Sequence, residues 1–121
     1  MHRARGEWEL AAQAYDDLAE RDPENGRVLF YAGQSAVEAG DGALAERMLG
    51  RAWAVEQWPG FTAYHLAEAV AMQGRGEEVL DWLERAVARG FPDPGMIRTN
   101  PHFENLREEP RFLRLLESGE R

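Results

Sequence analysis

Leu29-Phe30-Tyr31-Ala32-Gly33-Gln34-Ser35-Ala36-Val37-Glu38-Ala39-Gly40-Asp41-Gly42-Ala43-Leu44-Ala45-Glu46-Arg47-Met48-Leu49 decides the fold of this chain. Leu29, Ala32, Gly33 and Ala36 follow the three-and-four spacing of one helix face, Gly40-Asp41-Gly42 breaks that helix, and Ala45 and Leu49 open the face of a second. The same pattern then returns at a fixed distance. Gly6, Gly40 and Gly74 stand 34 residues apart, and apolar columns travel with them: Ala11, Ala45 and Val79; Tyr15, Leu49 and Leu83; Leu18, Ala52 and Ala86. Ahead of the glycines, Leu29 pairs with Ala63, Ala32 with Leu66, Gly33 with Ala67 and Ala36 with Val70 at the same interval.

Helix punctuation agrees with this period. Asp22-Pro23 reads as an N-cap followed by proline at the first helical position, where its missing N–H costs nothing, and Pro59 opens a helix in the same way. Ala39-Gly40-Asp41-Gly42 and Gln73-Gly74-Arg75-Gly76 read as C-cap glycines with tight turns. The spacing predicts helices over about 7–21, 24–39, 42–57, 59–73 and 76–89, with no sustained strand alternation, so the chain is expected to be all-α.

Leu29-x2-Ala32-Gly33-x2-Ala36 with Ala45-x3-Leu49, then Ala63-x2-Leu66-Ala67-x2-Val70 with Val79-x3-Leu83, resembles the tetratricopeptide repeat (TPR) family, whose pattern is W-x2-L-G-x2-Y, A-x3-F and P. Ala11-x3-Tyr15 and Pro23 match the second half of one more copy. No tryptophan fills the first position, and Pro59 and Pro92 are displaced from the closing proline. The resemblance implies a short helical-hairpin solenoid of two and a half repeats: a half repeat over 6–25 and repeats over 26–59 and 60–91. The segment after Gly90 is similar to the terminal segment of some bacterial TPR arrays, implying capping helices over 92–117 opened at Asn100-Pro101 and Glu109-Pro110. Met96, Ile97, Phe103, Leu106, Phe112, Leu113 and Leu116 are its expected covering face, with a flexible N-terminus at 1–5 and a fraying tail at 118–121.

With 121 residues, 44% of them hydrophobic and 30% charged, the chain has the balance of one soluble globular domain. It has no cysteine, which removes disulfides, thiolate metal sites and a cysteine nucleophile. A formal charge of −8 argues against a nucleic-acid partner, and the longest apolar run, 28–37, is too short to span a bilayer. Met1–Arg5 runs into Glu7 and Glu9 with no apolar core, so no signal peptide is read there and a cytoplasmic location is expected. All 14 basic residues are arginine, the bias of a GC-rich and hence bacterial genome.

Motifs for chemistry are weak. Gly40-x-Gly42-x-x-Ala45 satisfies a loose dinucleotide fingerprint but lies between two helices instead of a strand and a helix. Ser35 sits in mid-helix and reads as a small residue at a crossing; serine occurs only twice, against a catalytic triad. His2, His65 and His102 lack metal-site spacing, and carboxylates cluster at helix starts and outer faces. Trp53, Trp58 and Trp82 read as packing residues. The chain is expected to be no enzyme and to need no metal or cofactor.

Two surfaces remain. In a TPR array the first helix of each pair lines a concave groove, and the resemblance carries this to Arg27, Phe30, Gln34 and Val37 on one helix and Phe61, Tyr64, Glu68 and Ala71 on the next. The favoured function is a protein-protein interaction module that takes a peptide or helix of a protein partner in this groove; the alternative for Phe30 and Tyr64 is packing against a neighbour. Phe30 and Gln34 stand where the co-chaperone subgroup needs its carboxylate clamp, which speaks against chaperone tails. The rival is a structural end-cap or oligomerisation element of a larger array: helix 7–21 lacks its own first helix within the chain, leaving Trp8, Leu10 and Tyr15 as a candidate self-association face. A longer array or a late start codon would also account for the missing half.

Overall fold

The computed structural model describes residues 5–119; the N-terminal residues 1–4 and the last two of the expected tail lie outside them. The described residues are helical throughout: α1 (Arg5–Arg21), α2 (Gly26–Ala39), α3 (Gly42–Ala54), α4 (Pro59–Ala71), α5 (Gly76–Ala88), α6 (Pro94–Thr99), a 3-10 helix (Pro101–Leu106) and α7 (Pro110–Gly119). Successive helices pack on one another from α1 through α5; α7 lies on α5, and the 3-10 helix lies on α4. This sequential stacking is that of a helical repeat solenoid. No helix among the described residues is long and apolar enough to cross a membrane.

The turns form where the glycines were expected to place them. Gly40 is left-handed at φ 82°, and its N–H and that of Asp41 return to Val37 and Ala36, so two of the orphan carbonyls of α2 are satisfied. Asp41 then caps α3 by accepting the Leu44 N–H at 3.1 Å. Gly74 repeats the left-handed turn at φ 76°. The start of α2 differs from expectation: the N-cap is Asn25, whose carbonyl Oδ1 accepts the Val28 N–H at 3.3 Å, while Asp22 and Pro23 belong to the preceding turn. The chain enters α2 where Gly26 passes Gln57 so closely that a Cβ would collide with it.

From α2 to α5 the repeat columns are the core; on α1, Leu18 of the third column is instead exposed, and Ala11 and Tyr15 are half-buried. Leu29, Leu49, Leu66 and Leu83 are fully buried, each worth about 1.5–3 kcal/mol in removed apolar surface. Gly33 lies against the Leu49 side chain with no room for a Cβ, and Ser35 is buried as a small crossing residue. Trp53 and Trp82 meet edge-to-face at 5.2 Å and join two core clusters, one centred on α2 and α3, the other on α4, α5 and the cap. Between repeats, Arg75 holds Glu46 with a bidentate pair at 2.7 and 2.8 Å and also pairs with Glu78.

The cap differs from expectation in detail. Ile97, Phe103, Phe112 and Leu116 are buried as expected and Leu106 is half-buried, but Met96 and Leu113 face outward; Leu115 is buried in addition. Asp93-Pro94 opens α6, with the Asp93 side chain accepting the Met96 N–H. Arg111 reaches Asp81 and Glu84 of α5 at 2.9 and 2.7 Å, and α7 continues to Gly119, past the expected start of the tail at Ser118.

Candidate functional site

The inner faces of α2 and α4 form the floor of the expected groove, and the chain following α5 returns over α4. Of the groove residues, Arg27 and Phe61 are exposed and Gln34 and Ala71 half-buried, whereas Phe30, Val37, Tyr64 and Glu68 are buried. Tyr64 lies under the cap: its ring stacks on Phe91 at 4.5 Å and meets Phe103 edge-on at 5.9 Å. Phe30 is enclosed by Trp58 at 5.1 Å and His65 at 5.5 Å, both edge-on. Phe30 and Tyr64 thus take the packing role that the sequence left as their alternative.

Glu68 is the polar centre of this face. It is only 8% exposed. His65 Nδ1 donates to Oε1 at 2.6 Å, and Asn100 Nδ2 donates both to Oε2 at 2.9 Å and to the Tyr64 hydroxyl at 2.6 Å. His102 Nε2 stands 4.0 Å from Oε2. α4 and the cap are joined here by side chains whose buried polar atoms all have partners. Burial, assisted by the charges of Glu68 and Asp93 and opposed by the Asn100 hydrogen bond, pushes the Tyr64 phenol up to about 12. Beside this cluster opens a basin of about 360 Å³ edged by Glu38, Met96, Thr99 and His102.

At the other end of α4 two aromatics are exposed. Trp58 is 40% exposed and Phe61 44% exposed, Phe61 resting on Phe91 at 5.5 Å. The loop that presents Trp58 holds Glu56 and Trp58 at φ 56° and 39°, a region costly for residues with a side chain. Thr62 Oγ1 fixes it by donating to the Gln57 carbonyl at 2.5 Å.

Trp58, read from sequence as a packing residue, packs edge-on to Phe30 and Tyr31 yet stays 40% exposed, and sequence reasoning missed Asn100, His65 and His102 as partners of Glu68. Asn100 was legible only as a helix cap, a role it also performs by accepting the His102 N–H. On α1 the candidate trio divides: Leu10 is 73% exposed, while Trp8 and Tyr15 are half-buried and Tyr15 packs on Tyr31 at 5.9 Å. Among the described residues no group of three or more His, Asp or Glu is arranged to hold a metal ion. No protein-family model matches the chain, and no curated protein matches it.

Proposed function

We propose that this chain is a non-enzymatic interaction module of TPR type that takes a peptide or helix of a protein partner along the inner face of α2 and α4. The 34-residue period and the sequential helix stacking support the repeat assignment. The observation that carries the binding role is the exposed pair Trp58 and Phe61, held at the groove edge on a packed aromatic floor. Aromatic anchors on a rigid support lose little entropy on binding and give much contact area. Arg27 at one side and the basin at Glu38 at the other supply polar ends to the strip.

Selection of a random peptide library on the immobilised chain tests this. Selected peptides are expected to lose at least tenfold in affinity to a Trp58→Ala/Phe61→Ala variant whose circular dichroism is unchanged, as loss of two anchors requires. Selected peptides that bind this variant as well as the parent would remove the groove from consideration.

A further inference from the structure

The face of α1 turned away from α2 carries a stripe at the spacing three, four, four, three: Glu7, Leu10, Ala14, Leu18 and Arg21. At 100° per residue these five positions fall within one narrow arc, while the buried Ala12 and Ala19 define the opposite side that packs on the rest of the fold. All five are exposed, Leu10 at 73% and Leu18 at 43%. Glu7 and Arg21 carry no ion pair among the described residues.

The stripe has the same spacing in both directions about Ala14. Its apolar centre is flanked by an acid at one end and a base at the other. We propose that this face pairs with a second copy of the chain, α1 against α1 in antiparallel orientation, with the two-fold axis at Ala14. That symmetry sets Leu10 of each copy against Leu18 of the other, brings the two small Ala14 residues together at the crossing, and places each Glu7 opposite an Arg21. Charge selects this orientation: a parallel pairing sets Glu7 against Glu7 and Arg21 against Arg21. The acid also lies in the first turn and the base in the last, so each end of the pairing joins a carboxylate and a guanidinium already favoured by their helix dipoles. The contact is one helix wide and about four turns long, so the dimer is weak and concentration-dependent.

Sedimentation velocity on the full chain with a C-terminal tag, from about 1 µM to about 1 mM at low salt, reads the association directly. The parent is expected to pass from monomer to dimer in this range. Leu10→Glu, at a position open enough to leave the fold intact, is expected to remain monomeric. Glu7→Arg and Arg21→Glu each place two like-charge contacts in the dimer and are expected to weaken it about fivefold or more, and the double reversal Glu7→Arg/Arg21→Glu to restore it. A parent that is monomeric throughout, a Leu10→Glu variant that still associates, or a double reversal no better than its single components would each overturn the proposal. Because Trp58 and Phe61 lie on other elements, none of these results bears on peptide binding in the groove.

Discussion

Asn100 donates through one side-chain nitrogen to both the Tyr64 hydroxyl, at 2.6 Å, and Glu68 Oε2, at 2.9 Å, joining residues more than thirty positions apart. The cap is therefore bound to α4 by a polar contact as well as by Phe91 and Phe103. Removing the amide leaves a buried carboxylate oxygen and a buried phenol short of a donor. Asn100→Ala is expected to destabilise the chain by about 1–3 kcal/mol in urea unfolding. Hydrogen exchange should locate the effect in α6 and the 3-10 helix; an unchanged midpoint would mean that water replaces the amide without loss.

The same enclosure predicts an alkaline signature. Tyr64, one of three tyrosines in the chain, has its phenol raised from 10.0 to about 12, chiefly by burial. A group whose folded pKa is raised contributes stability that is complete below its unfolded value and is lost as pH rises through the folded one. Stability is accordingly expected to decline between about pH 10 and 12, and ultraviolet titration to show one phenol ionising late. Tyr64→Phe should abolish the late phase, and a late phase that survives this substitution would assign it elsewhere.

Gly33 tests the repeat itself. Its absent Cβ is the space that the Leu49 side chain fills, so Gly33→Ala forces α2 and α3 apart and is expected to cost about 1–3 kcal/mol despite the better helix propensity of alanine. Ala67 holds the equivalent position one repeat later and is fully buried against the second core. Ala67→Gly is expected to cost about 1 kcal/mol through propensity and lost contact. Thermal unfolding of the two variants checks both expectations, and a stabilised Gly33→Ala would contradict the tight crossing.

Helix order and the buried columns were legible because both are periodic: the three-and-four spacing fixes a face and the 34-residue interval fixes its partner. The period did not reach the start of α2: Asp22-Pro23 was read as its cap, whereas Asn25 caps it by accepting the Val28 N–H. The groove shows the same limit. Phe30, Tyr64 and Glu68 were expected to line a groove, but all three are buried, and what lies on them comes from Trp58, Phe91, Asn100 and Phe103, outside any repeat register. Packing by an aperiodic segment leaves no period to read. The sequence placed Leu10 with Trp8 and Tyr15 on one face and Leu18 in a repeat column, whereas the packing of α1 leaves Leu10 and Leu18 exposed and Trp8 and Tyr15 half-buried.

Arg75 predicts the acid limb of the stability curve. It stands at the position before α5 that Asp41 occupies before α3, yet it makes no side-chain cap and turns instead to Glu46 of the preceding repeat and Glu78 of its own helix. The guanidinium holds both carboxyls below their usual value of 4.5, through hydrogen bonds first and charge second. A carboxylate whose folded pKa is depressed contributes stability that is present above its unfolded value and is lost as pH falls through the folded one. The inter-repeat contact should therefore be at full strength above about pH 5 and weaken progressively below pH 4.5, more steeply at low salt. Arg75→Met retains much of the aliphatic stem and removes the charge. Its unfolding midpoint is expected to fall below that of the parent at pH 7 and to converge on it as the pH falls through the lowered folded values of the two carboxyls. A difference of constant size from neutral to acid pH would instead assign the role of Arg75 to packing of its stem between α3 and α5. Glu46→Gln separates the two partners: because Glu46 bridges the repeats and Glu78 does not, its loss should remove most of the pH-dependent difference while leaving α5 helical.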